Sequence, residues 1–227
     1  MRDAPSYELS YIQNYDSANN YDTLSGSLLQ KSHRLLEDIL PKGFFFPRIL
    51  EVGAGSGHHF AYVSDNYQEY IMTDNSDAML EIASKKYHQK SVCGALKFER
   101  QDASALSFEA ESFDRLIATH VLEHLANPVD VLKEWDRVVR QNGVISIVLP
   151  CDPGMLWRLG RHFGPRKNAQ KLGIAYDYLQ AAEHINSIFN LVVFIKHHFE
   201  VISDIWYPSR LAIPDLNLFY ICHLKKS

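Results

Sequence analysis

The residues best suited to chemistry in this sequence lie in a glycine-rich turn. Gly53, Gly55 and Gly57 follow an apolar segment that contains Glu51. Glycine permits backbone conformations, and a close approach of the backbone to a ligand, that a Cβ atom would block. A dinucleotide fingerprint would also need glycine at the position of His58, so a nicotinamide cofactor is disfavoured. The turn therefore predicts a loop that lies against another nucleoside-containing cofactor.

Two carboxylates end the next two predicted strands. Asp74 comes 19 residues after Gly55, where a carboxylate can accept hydrogen bonds from both hydroxyls of a ribose. Asp102, followed by Ala103, could accept one from the exocyclic amine of adenine. Each acid alone could instead cap a helix or be solvated. The ordered series favours a ligand site, because open α/β sheets bind ligands at the carboxyl ends of their strands.

An alternation of strands and helices must position these groups. Helices are predicted over residues 77–87, capped by Asn75 or Ser76, and over 128–140, ended by Asn142-Gly143. A further helical run is predicted to begin at His58. The first five strands are predicted at residues 48–52, 70–73, 96–100, 115–119 and 144–149. This pattern is typical of an α/β fold with a parallel sheet.

One domain with four parts is predicted for the 227 residues. Residues 1–46 form an N-terminal cap, helical over about 5–40, and residues 47–150 form the cofactor-binding core. Residues 151–197 form an inserted cap over the substrate, with a helix over about 176–196. Residues 198–227 form a closing pair of antiparallel strands.

Composition and charge exclude several classes of function. A net charge of −4 gives no overall attraction for a nucleic-acid backbone. The three cysteines lack the spacing of a zinc site or a disulfide framework. The N-terminus has no signal-peptide pattern, and no apolar stretch approaches the roughly 20 residues that span a bilayer. We expect a soluble cytoplasmic protein that binds neither nucleic acid nor membrane.

Five motifs together resemble the class I S-adenosylmethionine-dependent methyltransferases of small-molecule type, the methyltransferase type 11 group related to quinone-biosynthesis enzymes. The resemblance covers about residues 47–150, and one departure from the family is Gln141-Asn142-Gly143, where relatives often carry Pro-Gly-Gly. The motifs are Glu51-Val-Gly-Ala-Gly-Ser-Gly, Thr73-Asp-Asn-Ser-Asp-Ala-Met-Leu, Gln101-Asp-Ala, Phe113-Asp-Arg-Leu-Ile-Ala-Thr-His-Val-Leu-Glu-His and Arg137-Val-Val-Arg-Gln-Asn-Gly-Val.

The resemblance implies a Rossmann-like three-layer sandwich whose seven-stranded, mostly parallel sheet has an antiparallel last strand. It implies S-adenosylmethionine as cofactor and S-adenosylhomocysteine as product. The implied cofactor contacts are the loop residues Glu51, Gly53, Ala54, Gly55 and Gly57 at the methionine part, Asp74 and Asn75 at the ribose, Asp102 and Ala103 at the adenine, and Thr119 and His120 facing the sulfonium.

Methyl transfer needs alignment of the reactants and sometimes a base. His120 is the candidate base, although it could instead pack beneath the cofactor, and His124 is predicted to hold the following turn by hydrogen bonds. The candidate substrate contacts are Tyr15, Tyr21, Arg158, Arg161 and His184. Because histidines and acids are scattered along the chain, no metal is predicted.

The acceptor is predicted to be a small molecule, and a basic segment favours an anionic one. Residues 157–171 contain five Lys or Arg and no acid, which would suit a phosphate or carboxylate. A solvated basic helix would give the same pattern. O-, N- and C-methylation and the oligomeric state are not distinguished by the sequence.

A rival interpretation is a methylase that acts on DNA, RNA or protein. A methylase of DNA adenine would need an Asn/Asp-Pro-Pro-aromatic motif after the fourth strand, where this sequence has His120-Val-Leu-Glu. A non-catalytic S-adenosylmethionine-binding domain that regulates or scaffolds a partner stays open as the alternative, since fold and ligand do not guarantee turnover.

Overall fold

The computed structural model describes residues 24–64, 67–92, 95–163, 166–167, 169 and 175–226. Two candidate substrate contacts, Tyr15 and Tyr21, lie outside the described residues. Of the N-terminal segment predicted as helical, the described part forms helix α1, Leu24–Asp38.

Seven strands form a single sheet in the order β3-β2-β1-β4-β5-β7-β6. Strands β1 to β5 pair in parallel, whereas β7 lies antiparallel between β5 and β6. The predicted Rossmann-like sheet with an antiparallel last strand is confirmed. The strands are β1 (Arg48–Val52), β2 (Glu69–Asp74), β3 (Leu96–Arg100), β4 (Phe113–Thr119), β5 (Val139–Pro150), β6 (Glu200–Pro208) and β7 (Asn217–Lys225).

Helices cover both faces of this sheet. On one face α4 and α7 supply apolar side chains to the core, and on the other face α1 does so. After α1 the helices are α2 (Asp77–Lys86), α3 (His88–Val92), α4 (Pro128–Val138), α5 (Met155–Phe163), α6 (Tyr176–Glu183) and α7 (Ile188–His198), and short 3-10 helices occupy His59–Tyr62, Leu122–His124 and Pro214–Leu216.

Strand β4 shows why the sheet needs two covering layers. All seven of its residues are buried. Successive side chains of a strand point to opposite faces, so Leu116 packs in the core that contains Trp135, whereas Ile117 packs in the core that contains Leu36. A strand of this kind is stable only when both faces are covered, which is typical of parallel sheets.

Local sequence signals set the helix beginnings. Ser76 caps α2 by accepting a hydrogen bond from the Met79 N–H, which decides between the two predicted caps. Pro128 occupies the first turn of α4, where its missing N–H has no partner to lose.

Three local predictions were wrong. Asn142-Gly143 does not end a helix but lies inside β5, where Asn142 has a φ of +62°. The run from His58 is only a four-residue 3-10 helix, in which His59 turns inward to Glu37. The helix predicted over 176–196 is broken between α6 and α7, because Ser187 caps α7 through the Phe189 N–H.

Among the described helices, none combines the length and the apolar content needed to cross a bilayer.

Candidate active site

The glycine loop, residues 53–57, turns sharply at the carboxyl end of β1. Gly53, Gly55 and Gly57 have φ values of +61°, +54° and +73°, a region that residues with a Cβ rarely adopt. A Cβ on Gly53 would also lie 2.5 Å from Cγ2 of Val121, in the turn after β4. The sequence therefore needs glycine here both for backbone conformation and for close packing.

Asp74 ties this loop to the end of β2. Its Oδ2 accepts a hydrogen bond from the Gly55 N–H at 2.8 Å, and its Oδ1 accepts one from the Ser76 N–H at 2.8 Å. A carboxylate has about four acceptor positions, so Asp74 keeps capacity for further donors such as ribose hydroxyls. The neighbouring Asn75 is exposed, and Ala54 is buried.

Glu51 lies buried beneath the loop. Its Oε2 accepts a hydrogen bond from the Tyr70 hydroxyl at 2.7 Å, whereas its Oε1 has no hydrogen-bond partner among the described residues. Burial raises the pKa of Glu51, against the opposing effects of His59 and of the Tyr70 hydrogen bond. An unpaired acceptor in a buried place is costly unless a ligand or water supplies a donor.

Asp102 and Ala103 follow β3 at the same edge of the sheet. Asp102 is exposed and accepts hydrogen bonds from the Ser104 N–H and hydroxyl, which lower its pKa. The Ala103 carbonyl accepts a hydrogen bond from the Trp135 indole at 2.8 Å. Both residues are thereby held on a tight turn next to the end of β2.

Thr119 ends β4, and His120 follows it in a left-handed conformation with a φ of +58°. The His120 Nε2 lies 3.2 Å from the Ser32 hydroxyl of α1. Burial lowers the pKa of His120 to about 3, and the nearby His124 adds to this effect. Since an effective general base has a pKa near the working pH, these surroundings disfavour His120 as a base.

A buried ion-pair network fixes α1 against the sheet, and sequence reasoning missed it. Arg115 donates to both carboxylate oxygens of Glu37, at 2.7 and 3.0 Å, and through Nε to the Ser146 hydroxyl at 2.8 Å. The His59 Nε2 lies 3.1 Å from Glu37, and the His223 Nδ1 lies 2.9 Å from the Ser146 hydroxyl. Against the opposing effect of burial, Arg115 and His59 hold the pKa of Glu37 well below its ordinary value.

A second group of polar side chains lies beside the turn after β4, and we call it the roof cluster. Its members are Glu123, His124, Asp152, Arg161 and His184, and they come from the β4 turn, the end of β5, α5 and the break after α6. Asp152 was not predicted. The Asp152 Oδ2 lies 2.9 Å from the His184 Nδ1 and accepts a hydrogen bond from Arg161 Nη1 at 3.1 Å.

Hydrogen bonds from the chain at the end of α6 hold the turn after β4. The His124 Nδ1 lies 3.0 Å from the Glu183 carbonyl oxygen. The Asn186 amide donates to the Leu122 carbonyl at 3.1 Å and to the Leu125 carbonyl at 2.7 Å. His124 thus makes the kind of structural hydrogen bond that the sequence predicts for it.

Burial dominates the electrostatics of the roof cluster. It raises the pKa of Glu123 to about 8, and the negative charge of Asp152 adds to the rise. It also lowers the pKa of His124 to about 4, with a further contribution from His184. The His124 imidazole is therefore neutral at pH 7.

Two cavities lie against the roof. One of about 280 Å³ is lined by Asp152, Arg161 and His184 among others. The other, of about 640 Å³, is lined by Arg158, Arg161 and Arg166. The Arg166 guanidinium donates to Asp177 at 2.5 Å, whereas Arg158 is exposed and has no ion pair within the described part of the chain.

The structure brings the predicted residues together in three places. The glycine loop, Glu51 and Asp74 form one contiguous group at the ends of β1 and β2. Thr119 and His120 lie at the end of the adjacent β4, where Val121 contacts Gly53. Arg161 and His184 meet through Asp152, and Arg158 lies farther out, on the wall of the larger cavity.

Residues 50–147 match the model of a family described as "Methyltransferase domain". The chain is 32% identical over 109 residues to the "Uncharacterized methyltransferase YcgJ" of Bacillus subtilis, which covers 47% of this chain and 43% of that relative. It is 28% identical over 155 residues to the "Ubiquinone/menaquinone biosynthesis C-methyltransferase UbiE" of Ectopseudomonas mendocina, covering 64% of this chain and 57% of the relative. The chain spans about half the length of these curated relatives.

Solved structures share the fold at low sequence identity. The PH0226 protein of Pyrococcus horikoshii has a TM-score of 0.66 and 16% identity, with 96% of this chain and 99% of that chain covered. The [4+2]-cyclase SpnF has a TM-score of 0.62 and 15% identity, with 87% of this chain and 80% of that chain covered. These likenesses confirm the fold, and the family match over residues 50–147 agrees with the resemblance seen in the sequence motifs.

Proposed function

We propose that this chain, whose residues 50–147 match a methyltransferase domain model, transfers a methyl group from S-adenosylmethionine to a small-molecule acceptor. The observation that carries the proposal is the hydrogen bond from Gly55 to Asp74. It joins the glycine loop to the predicted ribose acid at the carboxyl edge of the sheet, where open α/β folds bind ligands.

The bound cofactor would supply a methyl carbon already activated by the sulfonium. The protein's work is then mostly alignment, since positioning alone can remove a large part of the barrier. In this proposal the loop contacts the methionine part, the edge acids bind the nucleoside, and the end of β4 faces the transferred methyl group. The proposed cofactor contacts are Glu51, Gly53, Ala54, Gly55, Gly57, Asp74, Asn75, Asp102, Ala103, Thr119 and His120.

The acceptor in this proposal carries a phosphate or a carboxylate. The support is the basic wall of the larger cavity, where Arg158 is exposed and makes no ion pair among the described residues. Arginine can hold an anionic group through two parallel hydrogen bonds. Arg161 and His184 would lie on the inner side of such a ligand, with Asp152 orienting both. A cytoplasmic location, as expected from the sequence, is also part of the proposal.

The first test measures cofactor binding. Calorimetric titration of the full chain with S-adenosylhomocysteine should show binding that Asp74→Ala weakens at least about tenfold, because charge-assisted hydrogen bonds are worth roughly 1.5–3 kcal/mol. The matched control is Asp77→Ala, which removes an exposed acid of α2 paired with Arg100 and should leave the affinity unchanged. Equal affinities of wild type and Asp74→Ala would overturn the assignment of this site.

The second test measures turnover. Incubation of the chain with S-adenosylmethionine and a metabolite extract should release S-adenosylhomocysteine and yield a product heavier by one methyl group. Binding without any turnover, across extracts of different sources, would indicate the non-catalytic alternative instead.

A further inference from the structure

Three side chains of the roof cluster have the types and the proximity of a metal site. Glu123, His124 and His184 each offer a ligand atom, and these atoms lie within 4.8 Å of one another. Glu123 and His124 lie on the 3-10 helix after β4, and His184 ends α6, some sixty residues later. These residues are scattered in the sequence, which is why the sequence predicts no metal. Only folding brings the three side chains together.

The hydrogen bond of His124 shows which ring nitrogen is available. The His124 Nδ1 lies 3.0 Å from the Glu183 carbonyl oxygen, and a carbonyl can only accept. The proton of the neutral imidazole is therefore on Nδ1, and Nε2 carries a lone pair. Metal-binding histidines commonly donate their other ring N–H to a carbonyl in this way, which fixes the ring orientation.

That lone pair faces a carboxylate across a gap. The His124 Nε2 lies 3.7 Å from the Glu123 Oε1, which is too long for a hydrogen bond. The His120 Nδ1 lies 3.9 Å from the same oxygen. Glu123 is only 2% exposed, and its Oε2 has no hydrogen-bond partner in the described ranges. An ion about 2 Å from each ligand atom would bridge such a gap, whereas a shared proton would not.

His184 is oriented by a carboxylate. Its Nδ1 lies 2.9 Å from the Asp152 Oδ2, within ion-pair distance but not in hydrogen-bond geometry, and we take Nε2 as the ligand nitrogen. The His124 and His184 rings lie 4.8 Å apart at 90°, so neither ring covers the other. His124 therefore has the outer hydrogen bond to a carbonyl that supports metal binding, and His184 has a carboxylate beside its other ring nitrogen.

We propose that Glu123, His124 and His184 bind one divalent metal ion of the zinc class. Two imidazoles and one carboxylate suit Zn²⁺ and related ions, and they leave a position open. Ligand atoms around one such ion lie about 3–3.5 Å apart, so binding draws the three side chains together by about 1 Å. The open position would hold an oxygen of the acceptor. This last step rests on the proposed function, whereas metal binding itself does not.

The experiment titrates metal-free full-length chain with Zn²⁺ by calorimetry and with Co²⁺ by visible absorption. We expect one equivalent of each ion to bind with micromolar or tighter affinity, and Co²⁺ to give the intense bands of a four- or five-coordinate site. No binding to the wild-type chain would overturn the proposal and would indicate a proton held by Glu123 alone in place of a metal.

Conservative variants locate the site. Asparagine keeps a polar group on the Nδ1 side of histidine but lacks Nε2, so His124→Asn and His184→Asn keep a donor beside the Glu183 carbonyl and the Asp152 carboxylate and lose a ligand. Each should weaken Zn²⁺ binding at least about tenfold. The control replaces His197 and His198, an adjacent exposed pair at the end of α7 whose rings lie 4.8 Å apart. His197→Asn combined with His198→Asn should leave the affinity unchanged, and loss of binding there, with His124→Asn unaffected, would refute the assignment.

A measurement on the wild type covers the case in which a variant does not fold. Diethylpyrocarbonate labelling, read by mass spectrometry, should modify His124 and His184 less when Zn²⁺ is present, while His197 and His198 react equally. Equal labelling of all four would contradict the proposal. Calorimetry with S-adenosylhomocysteine on the same samples separates the two hypotheses, because failure of cofactor binding leaves a positive metal titration standing.

Discussion

The glycine loop and the roof cluster lie along the same edge of the sheet but are built in different ways. The loop and its partner Asp74 use backbone groups and one side chain from the ends of two adjacent strands, 21 residues or fewer apart. The roof cluster uses side chains alone, drawn from four segments that span residues 123–184. A binding site made of backbone is fixed by short motifs, whereas one made of side chains depends on how distant segments pack.

The Glu37 network fixes α1 against the sheet, and removing its cation should have the largest effect on stability. Arg115→Met leaves the Glu37 carboxylate of α1 without its main cation, which costs about 3–5 kcal/mol for a buried pair. Urea unfolding measures the loss. The matched control is Arg48→Met, where a 44% exposed arginine pairs with Glu69, and we expect less than about 1 kcal/mol there. Equal losses would mean that the Glu37 network stabilises nothing beyond a surface pair.

Gly53 offers the most direct test of whether the glycine loop and the roof cluster are independent. Gly53→Ala combines a positive φ with a Cβ 2.5 Å from Val121, so we expect S-adenosylhomocysteine binding to fall about 10- to 100-fold. Zinc binding at the roof cluster should be unchanged. Gly43→Ala is the control, because Gly43 has a φ of +97° but nothing within 4 Å of its Cβ position. Parallel loss of cofactor and zinc binding in Gly53→Ala would show that the two regions are not independent.

Acid should weaken the Glu37 network through the buried His223, which Ser146 joins to Arg115. Burial, with Arg115 nearby, lowers the pKa of His223 to about 3, although the Leu36 carbonyl opposes this. Histidine in an unfolded chain titrates near pH 6.5, so the unfolded state binds more protons between these values and stability falls as the pH drops. His223 alone should reduce the free energy of unfolding by about 1 kcal/mol between pH 7 and pH 5.5.

The contribution of His223 is measured as the difference between wild type and a variant that lacks the imidazole. Urea unfolding of wild type and His223→Gln at the two pH values should show a smaller pH dependence in the variant, since glutamine does not titrate. An identical pH dependence would assign the acid sensitivity to other buried histidines, such as His33, whose pKa burial also lowers.

The smallest expected effect is on acceptor binding at Arg158, on the wall of the larger cavity. Arg158→Glu should raise the KM for an anionic acceptor about three- to fivefold, as expected for an exposed charge contact. Arg166→Glu should change it less, because Asp177 already neutralises that guanidinium. Both variants should bind S-adenosylhomocysteine like the wild type. The same KM in Arg158→Glu and wild type would remove the argument for a negatively charged acceptor.

Most of the fold could be predicted from the sequence because its signals are local. Runs of apolar residues bounded by turns place the strands of the parallel sheet within a few residues, and Ser76 and Pro128 mark helix starts. The errors fall where tertiary contacts override such signals. Asn142-Gly143 has the composition of a helix end, yet pairing with β4 extends β5 through it.

The glycine loop and the edge acids could be proposed from sequence for the same reason, since each lies at the end of its own strand. Asp152 and the Glu37 network could not, because their partners lie far away in the chain. One signal was present: Arg115 is a charged residue inside an apolar strand, and such a residue needs a buried partner. Nothing local identifies Glu37 as that partner.

The break between α6 and α7 indicates where this sequence could change while the fold is kept. The Asn186 N–H bonds to the Glu123 carbonyl, and the Ile188 N–H bonds to the Asp152 carbonyl, so the chain is attached to the turn after β4 and to the end of β5. Helix α6, just before these attachments, has no buried residue, so we expect it to tolerate substitution while the attachments stay in place. Under the proposed function, acceptor preference could therefore be changed at α6 with the sheet and the glycine loop untouched.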